Sequence, residues 1–77
     1  MTLGEYRVGI SFNPGGSEHV NEIKRRAADL IDYLENWARG EGRTPEAEAG
    51  RLVALAQTHI EDAAMWGVKA VTKGPMT

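Results

Sequence analysis

The sequence predicts an all-α protein, an antiparallel two-helix hairpin that follows an extended N-terminal arm and assembles into a helical homo-oligomer. Two long segments repeat apolar residues at spacings of three and four, and a glycine-rich segment separates them, which indicates a helical hairpin. Self-association is expected because 77 residues without cysteine form one small domain. The core of such a domain stabilises it only weakly, and disulfides and thiolate zinc sites are excluded.

Residues 1–16 are predicted to form the extended arm and its loop. Four apolar residues alternate with glycine or polar residues at the period of a half-buried strand: Tyr6, Val8, Ile10 and Phe12. A single strand cannot form a sheet, so we expect the arm to lie on another part of the protein. Residues 12–16 (FNPGG) are typical of a turn.

Residues 17–73 are predicted to form the hairpin. Ser17 is a suitable N-cap for a first helix over about residues 18–38, which ends at glycines. Thr44 and Pro45 favour the start of a second helix over about residues 45–73, and Gly74-Pro75 ends it. Residues 74–77 are then a tail.

The second predicted helix carries two apolar stripes. The first stripe has spacings of four and three: Leu52, Ala56, His59, Ala63, Trp66 and Ala70. The second stripe lies beside it: Val53, Ile60, Ala64, Gly67 and Val71. One partner helix covers only one stripe, so we expect the other to form an interface between copies of the chain. The alternative is a monomer with one wide apolar stripe, which has little core to keep it folded.

Composition excludes several functional classes. A net charge of −2 and a pI of about 5.6 argue against a general nucleic-acid binder. No apolar run approaches the length of a membrane span, so no membrane contact is expected and the cytoplasm is the expected compartment. No metal or other cofactor is expected, because His19 and His59 have no second ligand at helical spacing. Thr58 and His59 are helical neighbours that point about 100° apart and cannot act as nucleophile and base, so no catalytic residue is expected.

One segment favours an anionic, aromatic ligand. Phe12, Asn13 and Pro14 lead into a helix whose second turn carries the cations of residues 24–26 (KRR). Aromatic rings stack on bases, helix N-termini favour anions, and Lys and Arg pair with phosphate. The same residues are also compatible with a packed Phe12 and a solvated basic turn.

The second helix resembles the signature helix of a phage family of helical-hairpin sponges. These proteins counter the cyclic-oligonucleotide-based anti-phage signalling system, CBASS, and a related branch acts against Thoeris defence. The matching residues occur in the family's order: Leu55, Thr58, Glu61, Asp62, Ala63, Met65 and Trp66. The similarity covers roughly residues 12–72.

This resemblance implies a binding protein that does no chemistry. Family members form oligomers, typically hexamers, and hold cyclic dinucleotides such as cyclic GMP-AMP between protomers, in the host cytoplasm for a phage-encoded protein. Some members also bind cyclic trinucleotides at separate pockets. The signal then never reaches its effector.

The resemblance assigns expected roles to individual residues. Phe12, beside Asn13 and Pro14, takes the position that stacks on the bases, where the family commonly has Tyr. Lys24 takes the phosphate-contacting position, although a shorter preceding loop leaves Arg25 or Arg26 as alternatives. Arg51 matches a basic position that is a second candidate for an anion contact.

The signature residues are expected to be structural. Met65 and Trp66 should pack between the helices, and Glu61 and Asp62 should pair with a basic residue of a neighbouring protomer. A different class of function also fits the sequence, because the uncovered stripe suits an oligomeric protein-interaction or regulatory module equally well.

Overall fold

The structure, a computed structural model, describes residues 1–40 and 46–76. These residues form three helices, α1 (Leu3–Val8), α2 (Glu18–Ala38) and α3 (Ala47–Thr72), and contain no strand. α2 and α3 are antiparallel: Gly67 lies against Ile23, and Gln57, which precedes it on α3, donates a hydrogen bond to the carbonyl of Ile31. None of the helices in the described part of the chain is long and apolar enough to cross a membrane.

The two long helices agree closely with the sequence prediction. α2 spans the predicted residues 18–38, and the Ser17 hydroxyl caps it by accepting a hydrogen bond from the Val20 N–H at 3.3 Å. α3 spans residues 47–72, against a predicted 45–73. The predicted start signal at Thr44-Pro45 lies outside the described residues.

The prediction of an extended arm over residues 1–16 is wrong for residues 3–8, which form α1. A capping box stabilises this short helix: the Thr2 hydroxyl accepts from the Glu5 N–H at 3.1 Å, and the Glu5 carboxylate accepts from the Thr2 N–H at 2.8 Å. Gly9 ends the helix with the left-handed φ of 64° that favours glycine. Capping at both ends therefore outweighs the alternating pattern of apolar residues.

α1 packs closely on the middle of α2 through Gly4. The Gly4 N–H donates to the Asp32 carboxylate at 2.7 Å, which satisfies one of the free N–H groups at the start of α1. A Cβ atom added at Gly4 would lie 2.1 Å from the backbone oxygen of Ala28. Only glycine therefore allows this approach.

Replacing Gly4 with alanine is expected to destabilise the protein by about 1–3 kcal/mol, because the new methyl group must displace helix backbone. Equilibrium unfolding in urea measures the change. Gly50→Ala is the matched control, since Gly50 is also helical and has nothing within 4 Å of an added Cβ. This control should be neutral or stabilising. Equal stabilities of the two variants would contradict the close packing of α1.

The hairpin buries few residues completely. The buried apolar residues in the described part of the chain are Val20, Ala28, Ile31 and Ala64. Gln57 is also buried, and its amide bridges the two long helices by donating to the Ile31 carbonyl at 3.2 Å and to the Glu35 carboxylate at 3.1 Å. Arg39, and after it this amide, lower the pKa of Glu35. The layer is only 12 Å thick between Cα positions, which leaves little interior.

The second apolar stripe of α3 faces α2, whereas most of the first stripe is exposed. Ala64 is buried and Gly67 contacts Ile23, while Leu52 and Trp66 are 52% and 59% exposed. The expectation that one stripe is left uncovered within the protomer is confirmed. The expectation that Met65 and Trp66 pack between α2 and α3 is wrong. They follow Ala64 by one and two positions, and each helical step of about 100° turns them away from α2.

Candidate ligand-binding site

The loop after α1 and the facing ends of α2 and α3 border an open cavity of about 340 Å³. Its lining includes Phe12, Asn13, Pro14 and Lys24, together with Val68 on α3. The structure thus brings together four of the seven residues that the sequence singles out as candidates for ligand contact. Phe12 is 74% exposed, so its ring is presented to solvent rather than packed in the hairpin.

Lys24 is 7% exposed and holds the turn that carries Phe12. Its ammonium group donates to the Gly9 carbonyl at 2.9 Å and to the Phe12 carbonyl. The same nitrogen lies 5.5 Å from the centre of the Phe12 ring, within the range of a cation–π interaction. Lys24 therefore fixes both the backbone and the ring of the candidate stacking residue.

Asn13 secures the other side of the turn to the start of α2. Its amide nitrogen donates to the Ser17 carbonyl at 2.8 Å and to the Asn21 side chain at 2.9 Å. Its amide oxygen accepts from the Ser17 N–H at 3.2 Å. The loop is consequently tied to the helix on both sides of Phe12, by Lys24 and by Asn13.

A second cavity of about 620 Å³ lies between α1 and α3 and shares Lys24 and Val68 with the first. Arg7 borders it and joins the two helices: its guanidinium contacts the Glu61 carboxylate at 3.0 Å and the Thr58 hydroxyl at 3.4 Å. Met65 and Asp62 also line this cavity. Glu61 thus has a basic partner, Arg7, within its own chain. A further partner for Glu61 or Asp62 on a neighbouring protomer stays a prediction.

Arg25 and Arg26 point to carboxylates and do not line either cavity. Arg25 bridges Glu5 at 2.9 Å and Asp29 at 2.8 Å. The pKa of Glu5 is lowered, first by the hydrogen bond from the Thr2 backbone and then by Arg25. Arg26 pairs with Glu22 at 2.8 Å. Of the three adjacent cations, Lys24 is the one at the candidate site.

Arg51 lies near the other end of the hairpin. It is about 25 Å along the axis of α3 from Val68, at a rise of about 1.5 Å per residue, and it pairs with Glu48 on its own helix. A contact of Arg51 with a ligand at Phe12 within one protomer is therefore excluded by distance. Such a contact would require Arg51 from another copy.

Arg7 is the main feature that the sequence did not reveal. An alternating pattern placed it on the solvent side of a strand, whereas in α1 it is directed towards α3. The capping pattern of Thr2 and Glu5 is the signal that would have identified the helix.

The hairpin-domain model of the Acb2/Tad1 family matches residues 5–72, which is most of the chain. The chain belongs to the Acb2/Tad1 hairpin family. This is the family of anti-CBASS and anti-Thoeris sponges, which confirms the resemblance of the signature helix. The match begins at Glu5 within α1, so the matched region includes Arg7. No curated protein and no solved structure matches the chain.

Proposed function

We propose that this protein binds cyclic dinucleotide second messengers, such as the CBASS signal cyclic GMP-AMP, and sequesters them without cleavage. One observation carries the proposal: in a chain of the sponge family, an exposed Phe12 ring is held over a cavity by Lys24. The ring supplies a surface for a base, and the ammonium group supplies a positive charge beside it.

The symmetry of the ligand fits a site between two protomers. A cyclic dinucleotide has two flat bases and two negative charges, and a two-fold interface supplies Phe12 and Lys24 twice. Stacking contributes about 1–3 kcal/mol per base, and hydrogen bonds to charged groups about 1.5–3 kcal/mol each. Two of each, after the cost of association, support tight binding.

Lys24 retains a donor for this role. An ammonium group has three N–H donors, and the carbonyls of Gly9 and Phe12 take two of them. Since Lys24 lines both cavities, the third donor would bind a phosphate placed in one of them. The residue would then bind phosphate and hold the stacking ring together.

The proposed assembly is a homo-oligomer, with a hexamer expected from the family, in the cytoplasm of an infected host cell. The exposed first stripe of α3 supports self-association. Cyclic trinucleotides, which some family members bind at separate pockets, are included among the candidate ligands. Polymeric nucleic acid and membranes are not proposed as partners.

The exposed stripe also supports a second function, an oligomeric module that binds a protein partner. Mass measurement in solution discriminates between the two. A closed oligomer that buries the stripe supports the sponge, whereas a monomer or dimer that leaves it exposed supports the protein-binding module.

Binding and release of intact ligand test the proposal. Purified protein should remove a cyclic dinucleotide from the filtrate of a size-exclusion membrane, and heating should return the unchanged cyclic compound, identified by mass spectrometry. Recovery of a linear product would indicate a nuclease instead. A filtrate that keeps its full ligand concentration for every cyclic di- and trinucleotide would contradict the function.

A further inference from the structure

The face of α3 opposite α2 carries a continuous heptad pattern, which we call the outer stripe. Its members recur at spacings of four and three, and all are exposed: Glu48, Leu52, Leu55, His59, Asp62, Trp66, Lys69 and Lys73. The opposite side of the helix, at Gln57 and Ala64, is buried against α2. The hairpin therefore presents residues at coiled-coil spacing on the side that no other element of the described chain covers. Three members of the outer stripe are apolar, Leu52, Leu55 and Trp66, and the other five are polar or charged.

The charges of the outer stripe are polarised along the helix. Glu48 lies at its start and Lys73 at its end, with the apolar Leu55 and Trp66 between them. We propose that the outer stripe binds the same stripe of a second copy in an antiparallel coiled coil. The partner is thus a second copy of this chain, and the proposal defines one interface of the oligomer in the proposed function.

In one antiparallel register, every residue of the outer stripe faces a complementary residue of the second copy. With the two-fold axis between residues 59 and 62, Leu55 packs on Trp66 of the second copy, and His59 faces Asp62. In the same register Leu52 covers the stem of Lys69, whose ammonium group lies 5.3 Å from the centre of the Trp66 ring. At the ends, Glu48 faces Lys73 of the second copy. The two-fold axis repeats each of these pairs.

The parallel arrangement and the shifted antiparallel arrangements of two α3 helices give less complementary contacts. A parallel pair in register opposes each residue to its own copy, so that Asp62 meets Asp62 and Lys73 meets Lys73. Shifting the antiparallel pair by one heptad opposes Asp62 to Leu52 or to Trp66, which leaves the carboxylate against an apolar side chain. Charge complementarity therefore selects both the direction and the register.

The interface adjoins the second cavity, which shares Lys24 with the candidate site. His59 and Asp62, at the centre of the outer stripe, also line the 620 Å³ cavity. The helix of a second copy placed on the stripe would add a wall to that cavity.

Engineered disulfides test the register, because the chain contains no cysteine of its own. In the double variant L55C/W66C, the two cysteines are about 16 Å apart along one helix and cannot bond within a chain. Mild oxidation should convert this variant to a covalent dimer on a non-reducing gel. L52C/K69C samples the next pair of the same register and retains Trp66.

Three control variants define the crosslinking result that would contradict the proposed interface. A54C/W66C moves one cysteine about 100° around the helix to another exposed position, and it should remain uncrosslinked. L55C alone and W66C alone should also remain monomeric on the gel, whereas a parallel pair would crosslink each of them. The proposal is overturned when neither double variant crosslinks faster than A54C/W66C.

The crosslinking experiment tests the interface independently of the ligand-binding experiment, which tests the proposed function. A protein that binds a cyclic dinucleotide but gives no crosslink retains its function and loses this interface. A crosslinked dimer that binds no cyclic nucleotide retains the interface and loses the function.

Discussion

Replacing Phe12 with alanine is expected to weaken cyclic dinucleotide binding by more than about tenfold, which corresponds to about 1.4 kcal/mol. The ring is 74% exposed, so removing it takes away a stacking surface without opening a cavity in the hairpin. Stacking contributes about 1–3 kcal/mol per base, and a symmetric site loses both rings at once. The thermal unfolding midpoint should therefore stay within about 3 °C of the parent.

Tyr6→Ala is the matched control, since Tyr6 is also an aromatic residue that is 74% exposed but does not border either cavity. Its affinity should equal that of the parent. Phe12→Tyr keeps the ring and should retain binding. A Phe12→Ala variant with parental affinity in isothermal titration would reject the stacking role.

Replacing Lys24 with methionine is expected to weaken binding by more than about tenfold and to destabilise the fold by about 1–3 kcal/mol. Methionine has a similar length but no donor, so the carbonyls of Gly9 and Phe12 lose the hydrogen bonds that they accept from Lys24. The Gly9 carbonyl keeps the bond that it accepts from the Phe12 N–H at 3.0 Å. The turn would then no longer hold the ring over the cavity. Titration calorimetry and thermal unfolding measure the two effects separately.

Arg26→Met removes an adjacent cation that pairs only with Glu22 among the contacts of the described chain. Both its affinity and its stability should remain close to those of the parent. The reverse result, with parental affinity for Lys24→Met and loss for Arg26→Met, would assign the phosphate contact to Arg26.

The parts of the fold that depend on local sequence were predictable. α2 has a Ser17 cap, a regular apolar repeat and a glycine after its end, and the structure gives it the predicted bounds. The direction of α3 followed from the short connection. These features are encoded by residues close together in the sequence, and their patterns agree with one another.

The first helix was missed because its signals conflict. Tyr6, Val8 and Ile10 alternate as in a strand, but the capping box of Thr2 with Glu5 and the close packing of Gly4 on Ala28 favour a helix. The packing of Gly4 on Ala28 joins residues that are far apart in the chain. Its contribution can therefore be recognised only when α1 is placed on α2.

The site was predictable in its composition and less so in its geometry. Phe12, Asn13, Pro14 and Lys24 do meet at one cavity, as their spacing and the family resemblance suggested. The orientation of α3 about its own axis was not predictable. Either of the two apolar stripes of α3 could have packed against α2. In the structure the first stripe, which contains Trp66, is largely exposed.

Isothermal titration of the purified protein with a cyclic dinucleotide tests the central claim most directly. A sponge with a two-fold site between chains predicts saturable binding of one ligand for every two chains, and the ligand should be recovered as the intact cyclic compound. The absence of binding across a panel of cyclic di- and trinucleotides would contradict the account.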